Sequence, residues 1–89
     1  MPSTKPASRQ EKIPIVAIGA SAGGLNALCT FFSALPEKPG AAFVVVMHLS
    51  PEHHSELASI LGRETSMPVK EVHGRMALTA NHVYVIPPD

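Results

Sequence analysis

Ile15-Val16-Ala17-Ile18-Gly19-Ala20-Ser21-Ala22-Gly23-Gly24-Leu25 is where reading of the chain begins. Its first half is a continuous apolar run rich in β-branched side chains, of a length that suits a strand. The lack of polar alternation predicts burial on both faces, as in a parallel sheet. Pro14 belongs to the first positions of this strand, which begins near Ile13, where a missing N–H is tolerated. The small residues Gly19 to Gly24 form a tight turn. Beyond it Leu25, Leu28, Phe32 and Leu35 recur at helical spacing, with Cys29 and Phe31 beside them, and predict a helix over residues 23–35. Pro36 ends that helix, and Pro39-Gly40 extend the loop.

The same alternation continues downstream. Residues 42–47 are a second apolar strand. Ser50 is suited to cap a helix and Pro51 to open it, and the helix then runs to about Leu61 with Leu57, Ala58, Ile60 and Leu61 buried and Gly62 as its stop. Residues 67–72 read as a short third strand and Gly74 as a turn. Asn81-His82 precede a fourth strand over residues 83–86, broken by Pro87-Pro88. Strands alternating with helices imply right-handed crossovers and a parallel sheet. In such sheets the chemistry gathers at the carboxyl ends of the strands.

At 89 residues the chain holds one small domain at most. Residues 1–12 are polar, without apolar periodicity, and are expected to be a disordered leader, leaving residues 13–89 for the folded part. Apolar residues make up 45% of the chain, enough for a globular core. The formal net charge is zero with no basic block, which argues against nucleic acid or anionic lipid as the main partner. No apolar stretch approaches the roughly 20 residues that span a bilayer, and the N-terminus lacks the apolar segment of a secretory signal. The single cysteine, Cys29, excludes an internal disulfide framework and reads as a small core residue. Cytoplasm is the expected compartment.

Gly19-Ala20-Ser21-Ala22-Gly23 matches G-x-S-x-G at the junction of a strand and a helix. There a serine hydroxyl projects from the top of the sheet, small neighbours admit a substrate, and the helix N-terminus offers unpaired N–H groups to a developing oxyanion. Gly24 extends the small surface, so the helix can start close to the strand. The backbone N–H groups near Ala22 are candidates for part of an oxyanion hole. A plain packing turn and a phosphate-binding helix N-terminus remain as alternative readings of this stretch. His48 weighs against them. It ends the second strand, so if the first two strands are adjacent it shares a rim with Ser21, as a base must with its nucleophile. A dinucleotide-binding unit calls instead for an acidic residue near that point.

The remaining histidines carry less. His53 and His54 with His48 match no zinc spacing, so no metal and no cofactor are expected. His73 and His82 flank turns and read as surface residues. A histidine base is oriented by an acid, and no carboxylate here suits that role. Glu11 lies in the leader and Glu37 on the wrong side of the sheet. Glu52 and Glu56 belong on a solvated helix face, and Asp89 is the last residue. Two helices and three or four strands also cannot cover both faces of so apolar a sheet, so the expectation is the first half of a larger domain.

Three stretches in consistent order, residues 15–25, residues 46–51 and residues 82–89, resemble the CheB-type protein-glutamate methylesterases, and look closest to the versions fused to a methyltransferase. The resemblance runs from about Ile13 to the end. It implies a doubly wound, mostly parallel α/β sheet of which the chain forms the first half. It further implies hydrolysis of glutamate methyl esters, with some glutamine deamidation, on the cytoplasmic helices of chemoreceptors. Ser21 would be the nucleophile and His48 the general base, with the triad aspartate in a glycine-rich motif beyond residue 89. The family often has threonine after the serine, where Ala22 stands here. Many members carry a phosphoacceptor receiver domain, for which this chain has no room. The rival expectations are a Rossmann-like nucleotide- or phosphate-binding fragment and an inactive remnant of a methylesterase.

Overall fold

Two apolar strands joined by one amphipathic helix are the minimum unit that can bury a parallel sheet face, and the chain starts with that unit. The computed structural model describes residues 12–48 and 51–86, and the side chains among them except those of residues 22, 48 and 51–55. Strand β1 (Ile15–Ser21) passes through a 3-10 turn (Ala22–Gly24) into helix α1 (Leu25–Ser33). Then follow β2 (Ala42–His48), α2 (Pro51–Gly62), β3 (Val69–Glu71) and β4 (His82–Ile86). The sheet order is β1-β2-β4-β3 and every neighbouring pair is parallel. The parallel α/β reading therefore holds. Of the leader expected over residues 1–12, residues 1–11 lie outside the described residues, as do Ser50 as a cap and Pro87, Pro88 and Asp89.

Several boundaries differ from expectation for local reasons. Strand β1 begins at Ile15, although pairing with β2 already starts at Pro14, whose carbonyl accepts from the Ala42 N–H at 3.0 Å. Helix α1 ends at Ser33 rather than Leu35, because Pro36 disfavours helical backbone in the residue before it. The Ala34 N–H is shared between the carbonyls of Thr30 and Phe31, both at 3.2 Å, and closes the last turn. Strand β3 is shorter than residues 67–72. Met67 turns into the core at 3% exposure, and Pro68 has no N–H to donate, although its carbonyl still accepts from Val83.

The two faces of the sheet are unequal. Phe43, Val45 and Met47 of β2 and Val83 and Val85 of β4 pack with Leu28 and Phe32 of α1 and Leu57 and Leu61 of α2. Phe32 is fully buried and meets Phe43 edge-on at 5.6 Å between ring centroids. Both helices thus cover one face. The connections β1 to β2 and β2 to β3 cross the sheet in the same direction, and right-handed crossovers in one direction fall on one side. The return from β3 to β4 runs the other way, and residues 72–80 accordingly lie over the opposite face. They cover Tyr84, whose hydroxyl oxygen accepts from the Thr79 N–H at 2.8 Å, and with Val44 and Ile86 they line an open pocket of about 570 Å³. Nearer β1 that face is open: Ile15 is 55% and Val46 49% exposed. The sequence-based expectation that β1 is buried on both faces is not met among the described residues, where its burial alternates between exposed and half-buried.

Candidate active site

A parallel sheet ends all its strands at one rim, so pairing alone decides what meets there. Strands β1 and β2 are adjacent, and their register runs from Ile15 opposite Ala42 to Ser21 opposite His48. Ser21 and His48 are therefore direct Cα partners at the last position of both strands. Partners in a parallel pair point to the same face, with strands about 5 Å apart. Ser21 lies on the face without helices. The side chain of His48 lies outside the described residues, so the juxtaposition stands on backbone register.

The turn after Ser21 is defined by small size. Ser21 is exposed. A methyl group at Gly23 would sit 3.9 Å from the Ser21 Oγ, an ordinary contact, which places the hydroxyl over the turn that leads into α1. Gly19 also has ordinary room, with the Val46 carbonyl at 3.9 Å. Gly24 is the tight position, because a methyl there would approach the Ala20 Cβ to 3.3 Å. None of the three has a positive φ, so the turn uses the smallness of glycine and not its backbone freedom. Gly24 is also the N-cap of α1, without a side-chain hydrogen bond and without an acidic residue in the first turn. The first amides of the helix and its positive dipole end are thus left uncompensated by side chains. The side chain of Ala22 lies outside the described residues.

Two of the described carboxylates, Glu71 and Glu37, stand away from the Ser21–His48 rim. Glu71 ends β3, two strand spacings or about 10 Å from β2, and faces the helix side. Its Oε1 lies 3.0 Å from the Nε2 of His73. Glu37 is exposed in the loop before β2. The side chain of Glu52, and Glu11 and Asp89 altogether, lie outside the described residues. His82 departs from the surface reading. It is half-buried at the amino rim, with Nδ1 3.0 Å from the Ala80 carbonyl and its ring stacked on Tyr84. Cys29 is half-buried against the core, and burial raises its thiol pKa, with a further push from Glu64 against an opposing pull from Arg63. Among the described residues no group of three His, Cys, Asp or Glu side chains is placed to hold a metal ion. His53 and His54 have undescribed side chains. No helix among the described residues is long and apolar enough to cross a membrane.

Sequence reasoning missed Ala20 as the surface on which Gly24 rests, and Asn81 as a clamp. Asn81 adopts a left-handed backbone with φ 67°, and its Oδ1 accepts from the Gly40 N–H at 2.6 Å. An asparagine directly before a strand was the available signal for the second. The first has no signal in one sequence, because alanine is common in strands and helices alike.

The comparisons with known proteins agree with the parallel α/β fold. A Leptospira interrogans relative is 34% identical over 74 residues, which span 83% of this chain and 38% of that protein. The Vibrio vulnificus protein named protein-glutamate methylesterase/protein-glutamine glutaminase 2 is 40% identical over 76 residues, spanning 84% of this chain and 22% of its own length. The crystal structure of the Thermotoga maritima CheB methylesterase catalytic domain superposes with a TM-score of 0.81 at 33% identity, covering 89% of this chain and 42% of that one. The chain thus spans less than half the length of each of these relatives. The model of the CheB methylesterase family matches residues 16–89, and with it the chain belongs to that family.

Proposed function

We propose that Ser21 is the nucleophile and His48 the general base of a hydrolase that removes methyl groups from esterified glutamates, and deamidates glutamines, on the cytoplasmic helices of chemoreceptors. The observation that carries this reading is the register, in which Ser21 and His48 close two adjacent parallel strands opposite each other. The name of the Vibrio relative supplies the reaction class. Cytoplasmic chemotaxis signalling, with a methyltransferase or receiver domain as companion in the parent protein, is part of the same proposal.

In this mechanism the His48 imidazole takes the proton of the Ser21 hydroxyl as its Oγ attacks the ester carbonyl. Backbone N–H groups near Ala22, in the turn that leads into α1, meet the negative charge that develops on the carbonyl oxygen. Collapse of the tetrahedral intermediate expels methoxide, which leaves as methanol with the proton held by His48. Water, deprotonated by the same imidazole, then cleaves the acyl-serine and releases glutamate. With a glutamine substrate the first leaving group is ammonia.

The test is labelling of the natural full-length protein with a serine-directed fluorophosphonate. Modification mapped to Ser21, abolished by Ser21→Ala and strongly slowed by His48→Gln, supports the reading. Saturable nucleotide binding without labelling would favour a phosphate site at the same helix start.

A further inference from the structure

Of the glycines at the turn, Gly24 has the least room for a side chain, against the methyl of Ala20. We infer that they act as a positioning pair, in which the bare Gly24 backbone seats on the Ala20 methyl and thereby fixes the turn that carries Ser21. The inference rests on the serine reading and adds a residue to it.

The geometry leaves few ways to accommodate an added atom. A methyl at Gly24 lies 3.3 Å from the Ala20 Cβ, closer than two carbons settle comfortably, so a gap of a few tenths of an ångström must open. Alanine has no side-chain torsion by which to move away. Its backbone is held by pairing opposite Met47, which is 2% exposed in the core. Ala20 itself is packed against that core. The strand side of the contact is therefore fixed, and the 3-10 turn Ala22–Gly24 must give instead. That turn directly follows Ser21 and holds the amides assigned to the oxyanion. Positioning errors at a reacting centre are costly, on the order of 100-fold for about 1 Å. The glycines within the five-residue motif face no such crowding, with neighbours at 3.9 Å. The position with least room therefore lies one residue outside the motif that drew attention to the turn.

The experiment is a double-mutant cycle in the natural full-length protein. The variants are Gly24→Ala, Ala20→Gly and both together, each read by the fluorophosphonate labelling rate of Ser21 and by thermal midpoint. Gly62→Ala, at a site with nothing within 4 Å, controls for adding a methyl to a helix. Gly24→Ala should slow labelling about tenfold. The double variant should recover most of that rate, which a general loss of stability would not predict, since Ala20→Gly itself weakens a strand. Unchanged labelling in Gly24→Ala overturns the inference, and so does a double variant as slow as the single. A folded parent protein that never labels overturns the serine reading and this proposal with it, a result distinct from the other two.

Discussion

At the amino rim of the sheet, polar groups close on one another. Asn81 enters its left-handed turn, its N–H donates to the Ala41 carbonyl at 2.8 Å, and its side chain accepts from Gly40. His82 is held to the Ala80 carbonyl a residue further on. At the carboxyl rim the corresponding positions are Ser21, Gly23 and Gly24, a short turn without a side-chain cap. Among the described residues, local hydrogen bonds thus consume polar groups at the amino rim, whereas the turn after β1 leaves the start of α1 without a side-chain cap. The first kind holds a structure together. The second forgoes that stabilisation and offers a developing charge a helix start that no side chain caps.

The comparison breaks most sharply through the paired residues at the carboxyl rim. Ser21→Ala and His48→Ala should each lower ester hydrolysis by a factor on the order of 10⁶, and the double variant should lose no more than either alone, because the two act as one unit. Single-turnover kinetics of the full-length protein check this, while the unfolding midpoint in urea should barely move. Losses that multiply would mean the two groups work separately.

Phe32→Ala addresses what both rims share. Its fully buried ring packs against Phe43 and its loss should cost about 3–5 kcal/mol, read by urea denaturation, with both rims failing together. Asn81→Ala should cost about 1–2 kcal/mol, because alanine tolerates the left-handed backbone poorly, and should leave the labelling rate of Ser21 unchanged. Asn81→Gly keeps the backbone and should lose less. A labelling rate that falls with Asn81→Ala would join the two rims functionally. The smallest change is Gly62→Ala, expected to stabilise the end of α2 by about 0.5 kcal/mol with no effect on chemistry.

What the sequence disclosed follows from how far each interaction reaches along the chain. The strand, turn and helix around Ser21 were legible because their signals are local: apolar runs, small residues at the junction, and leucines at helical spacing. That β1 and β2 are neighbours was a condition in the reading, since nothing in either strand names its partner. The insertion of β4 between β2 and β3 was not legible either. Its physical reason is visible afterwards. Val83, Tyr84 and Val85 suit a strand buried on both sides, at 0%, 2% and 0% exposure, whereas Lys70 in the middle of β3 suits an edge. The flanking turn suggests a surface position for His82, and stacking on Tyr84 and a bond to the Ala80 carbonyl draw it in. The pairing of Ser21 with His48 agrees with the expectation of a shared rim. The acid that would orient the imidazole is not identified among the described carboxylates.

Strand β1 carries apolar side chains on both of its faces, from Ile15 to Ala20. A strand patterned that way has no hydrophobic reason to prefer one alignment over the next, since a shift by one residue exchanges one greasy face for another. The alignment can be set from the end, where the turn after Ser21 leads directly into α1 and α1 is packed on β2 through Leu28 and Phe32. The turn that presents the hydroxyl is then also the stop that indexes the strand, so aiming the serine and aligning the sheet are a single specification.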